Sequence, residues 1–392
     1  MNIKNKSFIS FLIFALILSS VICISGCLGP DENNGDLNSV NESNGSVGKT
    51  ITVVDDLGRT VEVPSNPQKI GLVGSGSARY MVYLQSVDRI VGVDTTDNST
   101  QTGRESRPYM LSYPEIAKMP LLGSKKAQID AELALKVSPD VILCSSEGAS
   151  SIKMADDAMA KTGIPIVCFN QYCPADDFDK FSYNMRLLGT VIGKSERAEE
   201  VITFFGSMID DLSNRVPSTP VDEKPVVYLG GVANRGSHGM ISTKPNFIGF
   251  NLLKANHKVS EIGDLESSNI GKENILKWDP DILFVDLATR NAAGGGGLVE
   301  LKTDPSYQTL KAVRNGEIYC IMPDTSCKAN HGTSFANAYF VGTVLYPENF
   351  KDINASEKAD EIYTFLVGKP VFDQLYANTG SLGYSKVDLN TI

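Results

Sequence analysis

Apolar and polar positions divide this chain into three stretches. Lys4 and Lys6 precede an apolar run from Phe8 to Val21, followed by Ile24-Ser25-Gly26-Cys27. The run is shorter than the roughly 20 residues a spanning helix requires, so residues 1–26 read as an export signal rather than a fold element. From Leu28 to Gly48 the chain is Gly, Asn, Asp, Glu and Ser with almost nothing apolar. Such a stretch cannot offset its ordering entropy by burial, and residues 27–49 are expected to be a flexible tether. After Thr50 the pattern changes to that of a folded body.

That body opens with two β-branched runs, Ile51 to Val54 and Thr60 to Val63, around Asp56-Leu57-Gly58, which predicts a hairpin. Short continuous apolar runs follow at Ile70–Val73, Ile90–Val93, Val141–Cys144 and Ile166–Phe169, and a second set at Val226–Leu229, Ile282–Val285 and Ile318–Ile321. Runs of this length, separated by longer connections, predict parallel strands covered on both faces. The fold class is therefore α/β: two Rossmann-like lobes with central parallel sheets. Between the two sets, Ala198, Val201, Ile202, Phe205, Met208, Ile209 and Leu212 recur at three-and-four spacing. They predict one long rigid helix over 195–216, with Ser195 as its N-cap and Pro217 beyond its end. The expected divisions are a signal at 1–26, a tether at 27–49, a first lobe at 50–177, a linker carrying the helix at 178–222, and a second lobe at 223–392.

The most informative pattern is internal. Glu132-Leu-Ala-Leu-Lys-Val-Ser-Pro139-Asp140 returns as Glu273-Asn-Ile-Leu-Lys-Trp-Asp-Pro280-Asp281, displaced by 273 − 132 = 141 residues. Each copy predicts a helix, a Pro-Asp turn and a buried strand, and two copies a lobe apart imply pseudo-symmetric lobes.

Composition narrows the chemistry. Without the two signal lysines the formal charge moves from −10 to −12, and an acidic chain offers no electrostatic footprint for nucleic acid. Three histidines, none closely spaced, and no Cys-x2-Cys pair argue against direct coordination of a bare metal ion. Beyond Cys27 five cysteines remain, Cys144, Cys168, Cys173, Cys320 and Cys327, and their spacing specifies no disulfide. Gly74-Ser75-Gly76-Ser77 matches neither a dinucleotide fingerprint nor a P-loop, and no Gly-x-Ser-x-Gly elbow is present, so no catalytic constellation is expected.

Small residues directly before Cys27 resemble the lipobox of prokaryotic lipoproteins, which makes Cys27 the expected lipid anchor. Asp56-Leu-Gly-Arg59-Thr-Val-Glu-Val-Pro64, the paired Glu-x6-Pro-Asp units and Leu188-Gly-Thr-Val-Ile-Gly-Lys-Ser-Glu-Arg-Ala198 together resemble the periplasmic binding proteins of iron-siderophore, haem and cobalamin ABC importers. The resemblance runs from about Ile51 to the C-terminus. It implies two lobes joined by one long helix with the ligand in the cleft between them, and a monomer without cofactor, held outside the cytoplasmic membrane, that captures a small-molecule metal chelate and delivers it to a permease and its ATPase. A ferric siderophore is the first expectation for the cargo; haem, cobalamin or an oxyanion such as molybdate are the alternatives within the fold. A ligand-presenting sensor or an exported enzyme are the alternatives of another class. The resemblance also assigns Glu132 and Glu273 to permease docking.

Ligands of open α/β sheets bind beyond the carboxyl ends of strands. The loops there, with the connection after the second strand, nominate Arg107, Tyr109, Tyr172, Asn234, Arg235, His238, Arg290 and His331. The arginines suit carboxylate or catecholate groups, the tyrosines offer flat contact area, and the histidines could approach a metal or haem edge.

Overall fold

The β-branched runs at the start of the folded body pair as the expected hairpin, β1 (Thr50–Val54) with β2 (Thr60–Pro64). Its alternate side chains Val53, Val61 and Val63 are buried, as the period of two requires. The computed structural model describes residues 49–392 except 102, 125, 147, 234–235, 260–268 and 291–295. The signal, the tether and Cys27 lie outside the described residues. Among those described, no helix is long and apolar enough to cross a membrane.

Every other expected strand is present. The first sheet contains β3 (Ile70–Val73), β4 (Ile90–Asp94), β5 (Leu121–Ser124), β6 (Gln128–Ile129), β7 (Val141–Ser145) and β8 (Ile166–Phe169), in the order β6-β5-β4-β3-β7-β8. The second contains β9 (Val226–Gly230), β10 (Asn256–His257), β11 (Ile282–Asp286), β12 (Ile318–Ile321) and β13 (Ser385–Lys386), in the order β10-β9-β11-β12-β13. All pairings are parallel except those of β6 and β13. The strands not anticipated, β5, β6, β10 and β13, are edge or near-edge strands. Three of them have two residues, too few to show a period.

The sheets divide their faces in the same way. Leu72, Leu143, Val167 and Phe169 of the first sheet enter one large hydrophobic cluster, and so do Val227, Leu229, Phe284 and Ile321 of the second. The opposite faces have smaller cores of their own, Ile142, Cys144, Ile166 and Cys168 in one and Tyr228, Leu283, Val285 and Cys320 in the other. A pleat that alternates sides produces this division, and it joins the two halves through a shared core. The helices His331–Leu345, Ala355–Val367 and Phe372–Asn378, which follow the second sheet in the chain, also pack into the shared cluster.

The long helix spans Ser195–Asn214 and buries Ala198, Val201, Ile202, Phe205, Met208 and Leu212. Ser195 is not its cap; the helix starts one residue after Lys194, and no side chain caps it. It packs along a second helix, Phe178–Val191, which is not among the expected elements, so two helices rather than one connect the sheets.

The sequence repeat is a structural repeat. Glu132 and Glu273 are the second residues of seven-residue helices, Ala131–Val137 and Lys272–Trp278. Each helix ends on a left-handed residue that is not glycine, Ser138 (φ 51°) or Asp279 (φ 44°). Each Pro-Asp then places its aspartate at the start of the neighbouring strand. Asp140 Oδ2 accepts from the amides of Gln68 (2.8 Å) and Lys69 (2.9 Å) ahead of β3, and Asp281 Oδ2 accepts from the amide of Val226 in β9 (2.9 Å).

Candidate functional site

In each sheet the chain order reverses between the two central strands, β3 with β7 and β9 with β11. Loops leaving such a pair diverge and leave a crevice beyond the strand ends. Glycine permits the tight exits. Gly74 (φ 94°) would place a Cβ 2.2 Å from the Ser145 carbonyl, so no other residue fits there.

A cavity of about 260 Å³ lies where the second crevice meets the connection after β4. One wall is Gln101, Arg104, Glu105 and Ser106; the opposite wall is Ala233, Gly236, Ser237 and Leu287 to Thr289. Pro323, Thr325, Ser326, Asn378 and Thr379 complete it. Two hydrogen bonds join the walls: Gln101 Nε2 donates to Ser326 Oγ (3.2 Å), and Asn378 Nδ2 donates to the Glu105 carbonyl (2.9 Å).

The charges around the cavity have separate roles. Burial works against the charge of Glu105, but Arg107 outweighs it through two 2.7 Å bonds, Nε to Oε1 and Nη2 to Oε2, and holds the carboxyl below its usual range. The other donors of Arg107 go to Thr96 O, Ser99 O and Asp97 Oδ1, and the side chain is buried. Tyr109 is equally buried, its hydroxyl donating to Asp97 Oδ1 at 2.8 Å and its ring facing Arg79 and Arg107. Arg107 and Tyr109 thus form the foundation of the first wall. Arg104 stands on its surface, exposed, with no partner for its guanidinium among the described residues.

Behind the second wall two carboxylates are buried. Asp324 sits between cavity residues Pro323 and Thr325, ion-paired with Lys244 and bonded by Ser334 Oγ (2.8 Å). Despite burial, Lys244 and Ser334 hold it below its ordinary value. Asp286, directly before Leu287, is pushed up to about 7 by burial and by the nearby charge of Asp324.

The other nominated residues are dispersed. His331 is a core residue: its Nε2 is 3.2 Å from the Tyr80 hydroxyl, aromatic rings surround it, and burial with nearby Arg79 pushes it down to about 3. Tyr172 is half-buried on the first-sheet loops against Lys180. His238 is exposed beside cavity residue Ser237, and Arg290 follows Thr289 and lies against Gly380. Asn234 and Arg235 fall outside the described residues. Glu132 and Glu273 are both exposed. The wall residues Gln101 and Ser106 were not nominated, although they lie on the same connection as Arg107. Nor were Asn378 and Thr379, which follow a helix rather than a strand; the polar turn Asn378-Thr-Gly-Ser381 was their only local signal. Among the described residues no group of three or more His, Cys, Asp or Glu is placed to hold a metal ion. The described polar side chains of the cavity lining are instead hydroxyls, amides, the Arg104 guanidinium and the Glu105 carboxylate.

The periplasmic binding protein model matches residues 72–325, more than half of the chain. The chain belongs to the periplasmic binding protein family. These proteins are the ligand-capturing components of ABC importers, and this periplasmic binding protein aligns with its relatives over most of their length. The Fe(3+)-citrate-binding protein of Bacillus subtilis is 24% identical over 321 residues, which cover 80% of this chain and 89% of that one. An iron-uptake system-binding protein of the same organism is 24% identical over 296 residues, 74% and 84% of the two chains. Among solved structures, the molybdate periplasmic binding protein of Haemophilus influenzae superposes with a TM-score of 0.63 at 16% identity, covering 81% of this chain and 98% of that one. At this identity the superposition establishes the shared fold.

Proposed function

We propose that this protein captures a small anionic ferric chelate with carboxylate arms in the cavity between its sheets and hands it to an ABC permease. The observation that carries this reading is Arg104, a guanidinium with no partner among the described residues, on a lining whose other polar side chains, Glu105 apart, are hydroxyls and amides. Its planar fork of donors matches a carboxylate. The one carboxylate on the lining, Glu105, is neutralised by Arg107. At about 260 Å³ the cavity is just below the usual range of roughly 300–1,000 Å³ for ligand pockets. That size suits a citrate-type complex; haem and cobalamin would require the Gln101–Ser326 and Asn378–Glu105 bonds to open.

In this reading Cys27 carries the lipid anchor, residues 27–49 are the tether, and the protein acts as a monomeric carrier without catalysis. Residues 50–177 and 223–392 are the halves of the cleft, with 178–222 between them. Arg107 and Tyr109 shape the ligand wall from behind, and Ser237, His238 and Arg290 face the chelate from the other side. Glu132 and Glu273 address the permease. A helix joined to a parallel strand through a tight turn runs back along it, so both glutamates sit toward the end of the sheets where the ligand loops lie.

Fluorescence titration of the purified protein with ferric citrate and with molybdate tests the cargo. Arg104→Ala is expected to weaken ferric citrate binding about 10-fold or more, as the loss of a charged hydrogen bond implies. An unchanged Kd would sink the reading. Tight molybdate binding with none of ferric citrate would transfer the site to oxyanions.

A further inference from the structure

The spacing of Cys144 and Cys168 in the sequence specifies no disulfide, but the fold sets the two side by side. They are Cα partners in the parallel register of β7 and β8, and both side chains enter the same small core on the outer face of the first sheet. Neighbouring strands lie about 4.8 Å apart, within the roughly 4.4–6.8 Å that a disulfide spans between Cα atoms. Both are buried free thiols in this structure. Arg59 Nη2 donates to Cys168 Sγ at 3.2 Å while its Nη1 holds Asp156 of the helix Ser150–Thr162, which fixes the direction of that sulfur.

The position gives such a link a purpose. β8 is an edge strand, and an edge needs holding. Hairpin residues already fasten its far side: Asp55 Oδ2 accepts from the Cys168 amide and the Asp56 amide donates to the Cys168 carbonyl. Immediately beyond the two cysteines, Gln171 Nε2 donates to Ser145 Oγ (2.6 Å). Gln171 Oε1 in turn accepts from the buried Arg79 (2.7 Å), which reaches across to the Cys327 carbonyl and to Asn330 near the second sheet. Whatever holds β8 to β7 therefore also holds the link between the two halves of the cleft.

We propose that Cys144 and Cys168 form a structural disulfide between β7 and β8 once the protein has been exported. Oxidation occurs by exchange with a disulfide-bearing oxidant, a thiol oxidoreductase or a small-molecule disulfide. The thiolate of one cysteine attacks the oxidant and forms a mixed disulfide; the thiolate of the other displaces the carrier. The oxidant leaves as a dithiol if it is an oxidoreductase and as two thiols, one at each exchange, if it is a small-molecule disulfide, in either case having taken the two electrons and the two protons. Exchange precedes closure of the helix Ser150–Thr162 over the pair, since both sulfurs are fully covered in the folded protein. The closed loop is 168 − 144 = 24 residues long, a length at which a cross-link removes substantial unfolded-chain entropy.

The test uses protein recovered from the outer face of intact cells, denatured in iodoacetamide without reductant and digested with trypsin. Cleavage at Lys153 and Lys161 separates the two cysteines unless they are joined. The expected result is one linked species that resolves only after reduction into the Cys144 peptide and the peptide 162–180, in which fragmentation finds Cys173 already alkylated and Cys168 not. Recovery of Cys144 and Cys168 both alkylated without reduction, or of either one linked to Cys173, overturns the proposal. Thermal unfolding with and without reductant gives a second reading. The wild type should lose several degrees on reduction and the Cys144→Ala/Cys168→Ala variant none; a wild type unmoved by reductant overturns the proposal as well.

Discussion

The two copies of the Glu-x6-Pro-Asp unit share a backbone and diverge at the ends of the strands they lead into. In both, a seven-residue helix with an exposed glutamate ends on a left-handed residue, and an aspartate clamps the start of the neighbouring strand. Past β8 the chain carries Gln171, which donates to Ser145 at the end of β7 and accepts from Arg79, and so helps bind the halves together. Past β11 it presents Asp286, with Asp324 and Lys244 beside it and the cavity in front. What is common to both halves is the scaffold, with one exposed glutamate on each; what differs is the end of each sheet beyond the strands.

The largest expected effect follows from the common part. Reversing both glutamates, Glu132→Arg with Glu273→Arg, should abolish uptake by cells while leaving ferric citrate affinity unchanged in vitro. Both side chains are exposed, so no buried partner is stranded, and the cost to each helix N-terminus is at most about 1 kcal/mol. Uptake at the wild-type rate would remove the docking role, and with it the functional meaning of the repeat.

A smaller effect follows from the part that differs. Asp286 is pushed up to about 7, against 3.8 for an ordinary aspartate. Above pH 4 the unfolded chain has released this proton while the folded protein retains it, so the contribution of Asp286 to stability falls as pH rises from about 4 to 7. In full it amounts to roughly 4 kcal/mol. Asp94, pushed up to about 6 by burial and by Asp97, acts with the same sign in the first half. His331, pushed down to about 3, acts with the opposite sign: its contribution is complete above pH 6.5 and is lost as pH falls toward 3. Urea unfolding of Asp286→Asn isolates the first of these. The stability difference between variant and wild type should shift in favour of the variant by up to the stated amount between pH 4 and 7.5. A difference constant across that range would show that Asp286 titrates in the folded protein as it does in the unfolded chain, and the upward shift would be wrong.

Most of this scaffold was legible in the chain because its signals are local. Four-residue apolar runs marked the central strands, three-and-four spacing marked the long helix, and the Pro-Asp register marked the repeat. The ligand wall was legible only as a set of loops. Arg104 and Arg107 lie three residues apart on one connection, and nothing in their neighbourhood distinguishes a free guanidinium from one engaged by Glu105 and Asp97. His331 belongs to a loop that reads as a cleft rim, but it is the first residue of a helix whose whole first turn is buried. Asn378 reaches the cavity from more than 50 residues beyond the last central strand, through packing with no local signature. Chain contacts formed at long range decide which polar side chain faces solvent, and periodicity carries no record of them.

The smallest effect compares the two clamps directly. Asp140 accepts two backbone amides and Asp281 one. A hydrogen bond from an amide to a charged acceptor at a partly exposed site contributes on the order of 1 kcal/mol net. Asp140→Ala should therefore destabilise the protein by about 2 kcal/mol and Asp281→Ala by about 1, measured by urea unfolding at pH 7. Both aspartates stand at the starts of their strands and neither lines the cavity, so neither change should alter the Kd for ferric citrate. Equal losses would mean that the second amide bond of Asp140 contributes nothing and that the clamps are energetically as well as geometrically equivalent. A change in Kd would show that the start of a strand is coupled to its far end, and would remove the separation between a conserved scaffold and a divergent ligand face within each repeat.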